Sequence, residues 1–327
     1  MFFRKKAEAR VALPPVRPHG PTTKDWTKDR RIEASLRQRW IEDGFVVLPS
    51  VFDASQIGAY NEIVAKVRRD VDDGKDAYGY GDRIGQLHQK EPKLLELASA
   101  PQILTFLDWA FGDEPVLMGS LNFQRGTQQQ AHIDAIFFWP EPCYAMAGAW
   151  VALEDIHPDA GPLFYIPGSH RWPFFHSDDV VRSRPELANR RDAAREGRLP
   201  AEEKGPLIGA LADAWTEDLI RLHETHRAER VPISLRAGDV VIWHSLLAHG
   251  GSPRNNPAMS RLSAVFHYFG RSAGLFTFDQ FMLYGAEELP HQTPQGPALH
   301  QYGALSYMRF PQFVTYSGGR EIIHPLE

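Results

Sequence analysis

Two histidines, a carboxylate and an arginine stand in this chain in an order suited to metal-centred chemistry: His132-Ile-Asp134, then His249 behind Gly238-Asp-Val-Val-Ile-Trp-His244, then Arg261-Leu-Ser263. Two imidazoles and one carboxylate on one side of an ion can hold a first-row divalent metal and leave the opposite positions open for reactants. An arginine further along can receive a carboxylate in a two-bonded clamp.

His-x-Asp alone says little, because a chain with 14 histidines should contain about one by chance. This chain has three. His157-Pro-Asp159 sits in a Pro/Gly turn, and His176-Ser-Asp178 precedes an acidic run that reads as a helix start. Only His132-Ile-Asp134 is flanked by apolar residues on both sides, AHIDAIFFW, which predicts a half-buried strand. Residues i and i+2 of a strand share a face, so His132 and Asp134 would reach one ion while Ile133 faces away.

The elements that must position the rest follow from Gly238 to Phe269. Gly238-Asp239 reads as a turn, Val240 to Trp243 as a strand, and His249-Gly-Gly251 as the point where a second strand breaks into a Gly/Pro/Asn loop. A further strand begins at Arg261. It places Arg261, Ser263, Val265 and His267 on one face, and Leu262, Ala264, Phe266 and Tyr268 on the other. A guanidinium inside a barrel is costly unless it meets an anion. The set therefore suits a 2-oxoglutarate-dependent Fe(II) oxygenase, with the arginine on the far carboxylate of the cosubstrate and O2 as third reactant.

These motifs, joined by Trp150-Val-Ala-Leu-Glu-Asp, Gly161-Pro-Leu, Ile166-Pro-Gly-Ser-His-Arg171 and His244-Ser-Leu-Leu-Ala-His-Gly-Gly-Ser252, resemble those of the phytanoyl-CoA dioxygenase family over roughly residues 35–170 and 230–270. The resemblance implies a double-stranded β-helix, a jelly-roll, cupin-like barrel, with Fe(II) held by His132, Asp134 and His249. It also implies 2-oxoglutarate held partly by Arg261 and Ser263. Because Asp134 fills the position that related halogenases vacate for chloride, it implies hydroxylation. The loop between His249 and Arg261 is one residue longer than is usual in the family, which keeps Arg254 open as an alternative clamp.

Several polar residues have a plainer reading beside a functional one. His244 rivals His249 as a ligand, although a histidine at a strand end more often makes a hydrogen bond. His170 reads as structural, and His267 as either pocket wall or core. Asn122 and Gln124, on the strand before His132, could donate to 2-oxoglutarate or be ordinary surface polarity. A Zn2+ or Mn2+ hydrolase or isomerase could use the same His/Asp/His set, but would have no use for the arginine clamp. A non-catalytic β-barrel binding protein is the third reading.

Length and composition suit one enzyme domain, residues 31–327, mainly β with flanking helices. The chain has 327 residues, 43% of them hydrophobic, and a net charge of −5. One cysteine, Cys143, excludes a disulfide framework, and the opening MFFRKKAEAR has no apolar h-region, so a cytoplasmic protein without a membrane span is expected. Residues 1–30 read as a flexible basic arm, since the first 31 positions carry nine Lys/Arg against three Asp/Glu. No nucleic-acid module is recognisable, so a small molecule is the expected partner.

Helices are expected at Asp29–Asp43, leading into the strand Gly44-Phe-Val-Val-Leu, from Asp53 or Ser55 to about Val71 with Ile57, Tyr60, Ile63 and Val67 inward, and over Pro92–Phe111. Strands follow from Pro115 to Ile166. A helical insertion is expected at 172–230, where eleven basic residues nearly balance twelve acidic ones from Arg171 on. Lying between the two halves of the metal site and opening with Trp172, Phe174 and Phe175, it stands where a lid would sit. The aromatic tail after Phe269 should pack over the barrel.

Overall fold

The computed structural model describes residues 30–70, 82–317 and 320–326. The expected basic arm, Arg30 aside, lies outside the described residues. The described residues form two compact units, a helical one comprising residues 173–228 and 276–293 and a β one comprising the other described residues.

The β unit opens with α1 (Ala34–Asp43), β1 (Phe45–Leu48), α2 (Ala54–Asp70), β2 (Arg83–Gly85), α3 (Leu95–Ala98) and α4 (Pro101–Phe111). A capping box starts α2: the Asp53 carboxylate accepts from the Gln56 N–H at 2.9 Å, and the Gln56 side chain accepts from the Asp53 N–H at 3.0 Å. Its inner face is Ile57, Tyr60, Val64 and Val67, with Ile63 only partly buried. Pro101 supplies the first residue of α4 and splits the third expected helix in two.

Strands β3 (Pro115–Phe123), β4 (Phe138–Glu141), β5 (Met146–Ala152) and β6 (Leu163–Tyr165) come next, and after the helical segment β7 (Val231–Pro232), β8 (Val240–His244), β9 (His249–Gly251), β10 (Ser263–Gly270) and β11 (Gly274–Thr277). Strands β12 (Leu299–Tyr302), β13 (Leu305–Met308), β14 (Gln312–Ser317) and β15 (Arg320–Pro325) end the chain. The large sheet runs β1-β8-β5-β10-β3-β2-β14-β15, with β13 joined to β3 and β12 to β13, while a small sheet runs β7-β6-β9. Apart from the parallel β13/β3 pair, the pairings within these two sheets are antiparallel. The tail from Pro294 thus widens the large sheet.

Parity decides which residues see the site. On β8, β5 and β10 the residues Val240, Ile242, Ala147, Ala149, Ala264, Phe266 and Tyr268 pack with Trp40, Tyr60 and Phe106 of the helices. The alternate residues Val241, Trp243, Trp150 and Val265 face Tyr165 of the small sheet. Burial on both faces explains the almost unbroken apolar runs of these strands.

The helical unit holds α5 (Ser177–Val181), α6 (Pro185–Arg195), α7 (Ala201–His226) and α8 (Phe278–Leu283). Phe174 and Phe175 are 8% and 2% exposed and pack with Trp215 and Phe281. Those aromatics pack together inside their own unit.

Candidate metal and cosubstrate site

His132 and His249 are brought together by a single antiparallel bridge between them, with both backbone N–H···O bonds formed at 2.9 and 3.0 Å. The strand expected around His132 is only that bridge. Ile133 is extended, and Asp134 opens a 3-10 turn, Asp134–Ile136, so the turn rather than a pleat aims the carboxylate. Gly250 and Gly251 allow the loop 127–130 to lie against β9, because a Cβ on either would press on the backbone of Gln129 or Gln128.

Ligand-capable atoms of His132, Asp134 and His249 lie within 4.8 Å of one another. Asp134 Oδ1 is 3.6 Å from Nε2 of each histidine. Neighbouring donors around an ion with bonds of about 2.1 Å sit about 3 Å apart, so a slight inward shift would centre one. Each ring is also turned correctly. His132 Nδ1 lies 2.9 Å from Gln130 O and His249 Nδ1 2.9 Å from Leu247 O, so each Nδ1–H donates to a carbonyl and each Nε2 lone pair faces the carboxylate. Burial lowers the pKa of His132 to about 4, with His249 adding to the effect, which keeps the imidazole neutral as a metal ligand must be. Burial pushes the Asp134 carboxyl up, but His249, the hydrogen bond from His267 and His132 together hold it well below the usual range.

The other carboxylate oxygen, Oδ2, accepts from Trp243 Nε1 at 2.8 Å and lies 3.4 Å from His267 Nε2. The cavity beside the triad is lined by Leu121, Phe123, Trp150, Arg261, Val265 and His267, with Thr127 and Gln129 from the loop. Arg261 is 1% exposed and meets no carboxylate among the described residues. Its Nη1 donates to Gly161 O at 3.2 Å, its Nε has no hydrogen-bond partner among the described residues, and its guanidinium lies against the rings of Phe123 and Trp150. Burial lowers its pKa to about 10, so it stays charged at neutral pH. Trp150 Nε1 and the Tyr165 hydroxyl, both buried, likewise lack hydrogen-bond partners among the described residues. A buried cation beside unmatched donors fits a carboxylate-bearing ligand, as the His/Asp/His donor set fits a divalent metal.

The remaining candidates fall elsewhere. Asn122 is on the far face of β3, where its Oδ1 accepts from the Tyr60 hydroxyl at 2.6 Å, and Leu121 and Phe123 face the cavity instead. Gln124 does not line the cavity, and its backbone carbonyl accepts from the Arg261 N–H. Ser263 is buried beside Arg261, its hydroxyl 3.4 Å from Arg261 O. Arg254 does not line the cavity. His244 has the opposite parity to Trp243 and packs near Trp40 and His170, its Nδ1 accepting from the Leu246 N–H. His170 Nε2 lies 3.2 Å from Ile41 O. His157 is exposed and Asp159 half-buried, while His176 caps α5. Sequence reasoning missed Thr127, Gln129, Trp150, Tyr165 and Trp243; strand parity on β5 and β8 was the signal available for the two tryptophans.

Size does not pick out this cavity. It encloses about 70 Å3, whereas a cavity of about 550 Å3 in the helical unit, between Asp192, Arg195, Tyr284 and Glu288, holds no triad and has its Arg195 and Glu288 paired with each other. Among the described residues, no helix is long and apolar enough to cross a membrane.

The family model for phytanoyl-CoA dioxygenase (PhyH) matches residues 40–263. Phytanoyl-CoA dioxygenase domain-containing protein 1 of Mus musculus is 26% identical over 193 residues, 57% of this chain and 56% of that protein, so the match spans little more than half of that relative. The peroxisomal phytanoyl-CoA dioxygenase of Rattus norvegicus is 24% identical over 274 residues, covering 76% and 72%. Among solved structures, the epimerase SnoN in complex with Fe3+, alpha ketoglutarate and nogalamycin RO superposes with a TM-score of 0.58 at 20% identity, covering 84% of this chain and 97% of that one. The fold is the double-stranded β-helix that the motifs implied, and the chain belongs to the phytanoyl-CoA dioxygenase family.

Proposed function

We propose that the protein is a non-haem Fe(II)- and 2-oxoglutarate-dependent dioxygenase that hydroxylates a C–H bond of a small molecule. Its dioxygenase family supports this reading, and the observation that carries it is Arg261, a buried guanidinium without a carboxylate beside a cavity that also contains His132, Asp134 and His249. In this reading the three residues hold Fe(II), and Arg261 receives the distal carboxylate of 2-oxoglutarate, with Ser263 beside it. Tyr165 and Trp150 offer further donors, and Phe123, Leu163 and Val265 keep water from the cosubstrate. The bound iron supplies the oxidising chemistry: 2-oxoglutarate, O2 and R–H give succinate, CO2 and R–OH. The chain's own contribution is to orient the reactants and exclude solvent.

Anaerobic titration with Fe(II) and 2-oxoglutarate, followed by a succinate assay in air over a panel of small molecules, tests the reading. Wild type should bind both and release succinate. His132→Ala, Asp134→Ala and His249→Ala should each abolish Fe(II) binding, while alanine at His157, Asp159, His176 or Asp178 should not. Metal binding without succinate would favour a hydrolase or isomerase, and neither would favour a binding protein. We further propose that residues 172–230 take part in substrate enclosure; a variant with 178–229 replaced by a Gly/Ser linker that folds and keeps full hydroxylation would overturn that role.

A further inference from the structure

We propose that Trp243 is a positioning residue that makes Asp134 a one-oxygen ligand, so that the coordination position a second carboxylate oxygen would take stays open. The inference rests on the triad reading above. Carboxylates bind metals through one oxygen or both, and the choice is set by what holds the second oxygen. Here the two oxygens have separate surroundings. Oδ1 lies 3.6 Å from both histidine Nε2 atoms, on the side where an ion would sit. Oδ2 accepts from the Trp243 indole at 2.8 Å and has His267 Nε2 at 3.4 Å. An octahedral ion with three protein donors and a chelating keto acid has one position left, and a bidentate Asp134 would fill it.

The fold makes room for that indole. Trp243 lies opposite Gly148 in the β5/β8 register, and a Cβ on Gly148 would collide with the ring. The indole is 2% exposed, and its centroid lies 5.2 Å from that of His249 and 6.2 Å from that of His267. A phenylalanine could occupy the same apolar space. Only the N–H distinguishes the tryptophan, and its acceptor is the carboxylate.

The test is anaerobic titration of the full chain with Fe(II), and with Co(II) as a visible-spectrum probe of coordination. Trp243→Phe should raise the metal Kd about 10- to 100-fold and change the Co(II) ligand-field bands while near-ultraviolet circular dichroism shows an ordered fold. His267→Leu should do less, because its contact is longer, and His267→Gln, which keeps a donor, should restore most of the loss. If Trp243→Phe does not fold, β-(3-benzothienyl)alanine at 243 keeps the ring shape without the N–H and decides the matter. Wild-type affinity and Co(II) bands in either folded variant overturn the proposal. His132→Ala separates the two readings: if it binds Co(II) as tightly as wild type, the triad reading has failed, and the role given to Trp243 fails with it.

Discussion

Arg184 of the helical unit and Arg261 of the β unit are both held inside their units, yet they are treated in opposite ways. Arg184 donates from Nη1 and Nη2 to the two oxygens of Asp218, at 2.8 Å each, and from Nη1 to Val180 O at 2.8 Å. Asp218, 1% exposed, also takes Arg221. Hydrogen bonding to Asp218 raises the pKa of Arg184, whereas burial lowers that of Arg261. A buried charge whose partner is built into the chain holds its unit together. One with donors left over disfavours the empty protein and favours a ligand that brings the partner.

The largest effect should come from breaking the closed pair. Asp218→Ala takes the two-bonded partner from Arg184, leaving it the exposed Glu217 at 3.5 Å, and removes the carboxylate of Arg221; it should cost about 3 kcal/mol of unfolding free energy by urea denaturation, at the lower end for a buried pair because Arg184 is 17% exposed at its side chain. Affinity for 2-oxoglutarate should not change. Arg261→Ala should do the reverse. Cosubstrate affinity, measured by calorimetry with Fe(II) present, should fall about 100-fold as a charge-assisted pair is lost, while stability of the ligand-free protein holds or rises. Loss of stability in Arg261→Ala with unchanged cosubstrate affinity would make Arg261 a second Arg184.

A third polar group sharpens the comparison through pH. His88 sits in the β unit with Nδ1 2.7 Å from Ser120 Oγ and Nε2 2.9 Å from Gln89 Nε2. The amide nitrogen of Gln89 can only donate, so His88 Nε2 accepts and Nδ1–H donates to Ser120. Burial, with Arg309, lowers its pKa to about 3. The unfolded chain takes up a proton near the ordinary value of 6.5 and the folded chain does not until about 3. Stability from this group is therefore present above 6.5 and is lost progressively as pH falls toward 3. Between pH 7 and 5 wild type should lose about 2 kcal/mol more than His88→Gln, by urea denaturation of the iron-free protein. Equal losses would show that His88 titrates normally and that its hydrogen bonds do not hold it neutral.

What the sequence made legible was whatever parity could reach. The alternation Ser263-x-Val265-x-His267 on β10, continued back to Arg261 two residues before the strand begins, turns one face to the cavity apart from Ser263, and the spacing Val240 to His244 puts His244 with the helices. Asn122 could not be placed, because β3 is buried on both faces and PVLMGSLNF carries no alternation to read. His132 and Asp134 share their orientation through one bridge and a tight turn, which a strand pattern mimics at a spacing of two. The partners of Asp134 come from β8 and β10, more than a hundred residues away, and no local pattern links an indole to a distant carboxylate. The C-terminal strands did leave a signal in the sequence, Gly303 and Ser317-Gly-Gly-Arg320 standing between the segments that pair as β12/β13 and β14/β15.

The smallest expected effect discriminates between the two arginines nearest the cosubstrate reading. Arg254 is the sequence's alternative clamp, but its stem lies over Gly161 and Gly126, where a Cβ on either glycine would crowd its Cγ, and it is absent from the cavity wall. Its backbone N–H donates to the Gln128 side chain at 3.1 Å, a contact that substitution of the side chain leaves in place. As a like charge it lowers the pKa of Arg261, behind the larger effect of burial. Removing it in Arg254→Ala therefore takes away a mild repulsion together with some long-range attraction for the anion, two terms of opposite sign. The net change in 2-oxoglutarate affinity should stay within about threefold, or about 0.7 kcal/mol, against the hundredfold loss at Arg261. A larger loss in Arg254→Ala than in Arg261→Ala would reverse the assignment, making the longer loop after His249 the cosubstrate clamp and leaving Arg261 as a buried charge whose partner is still to be found.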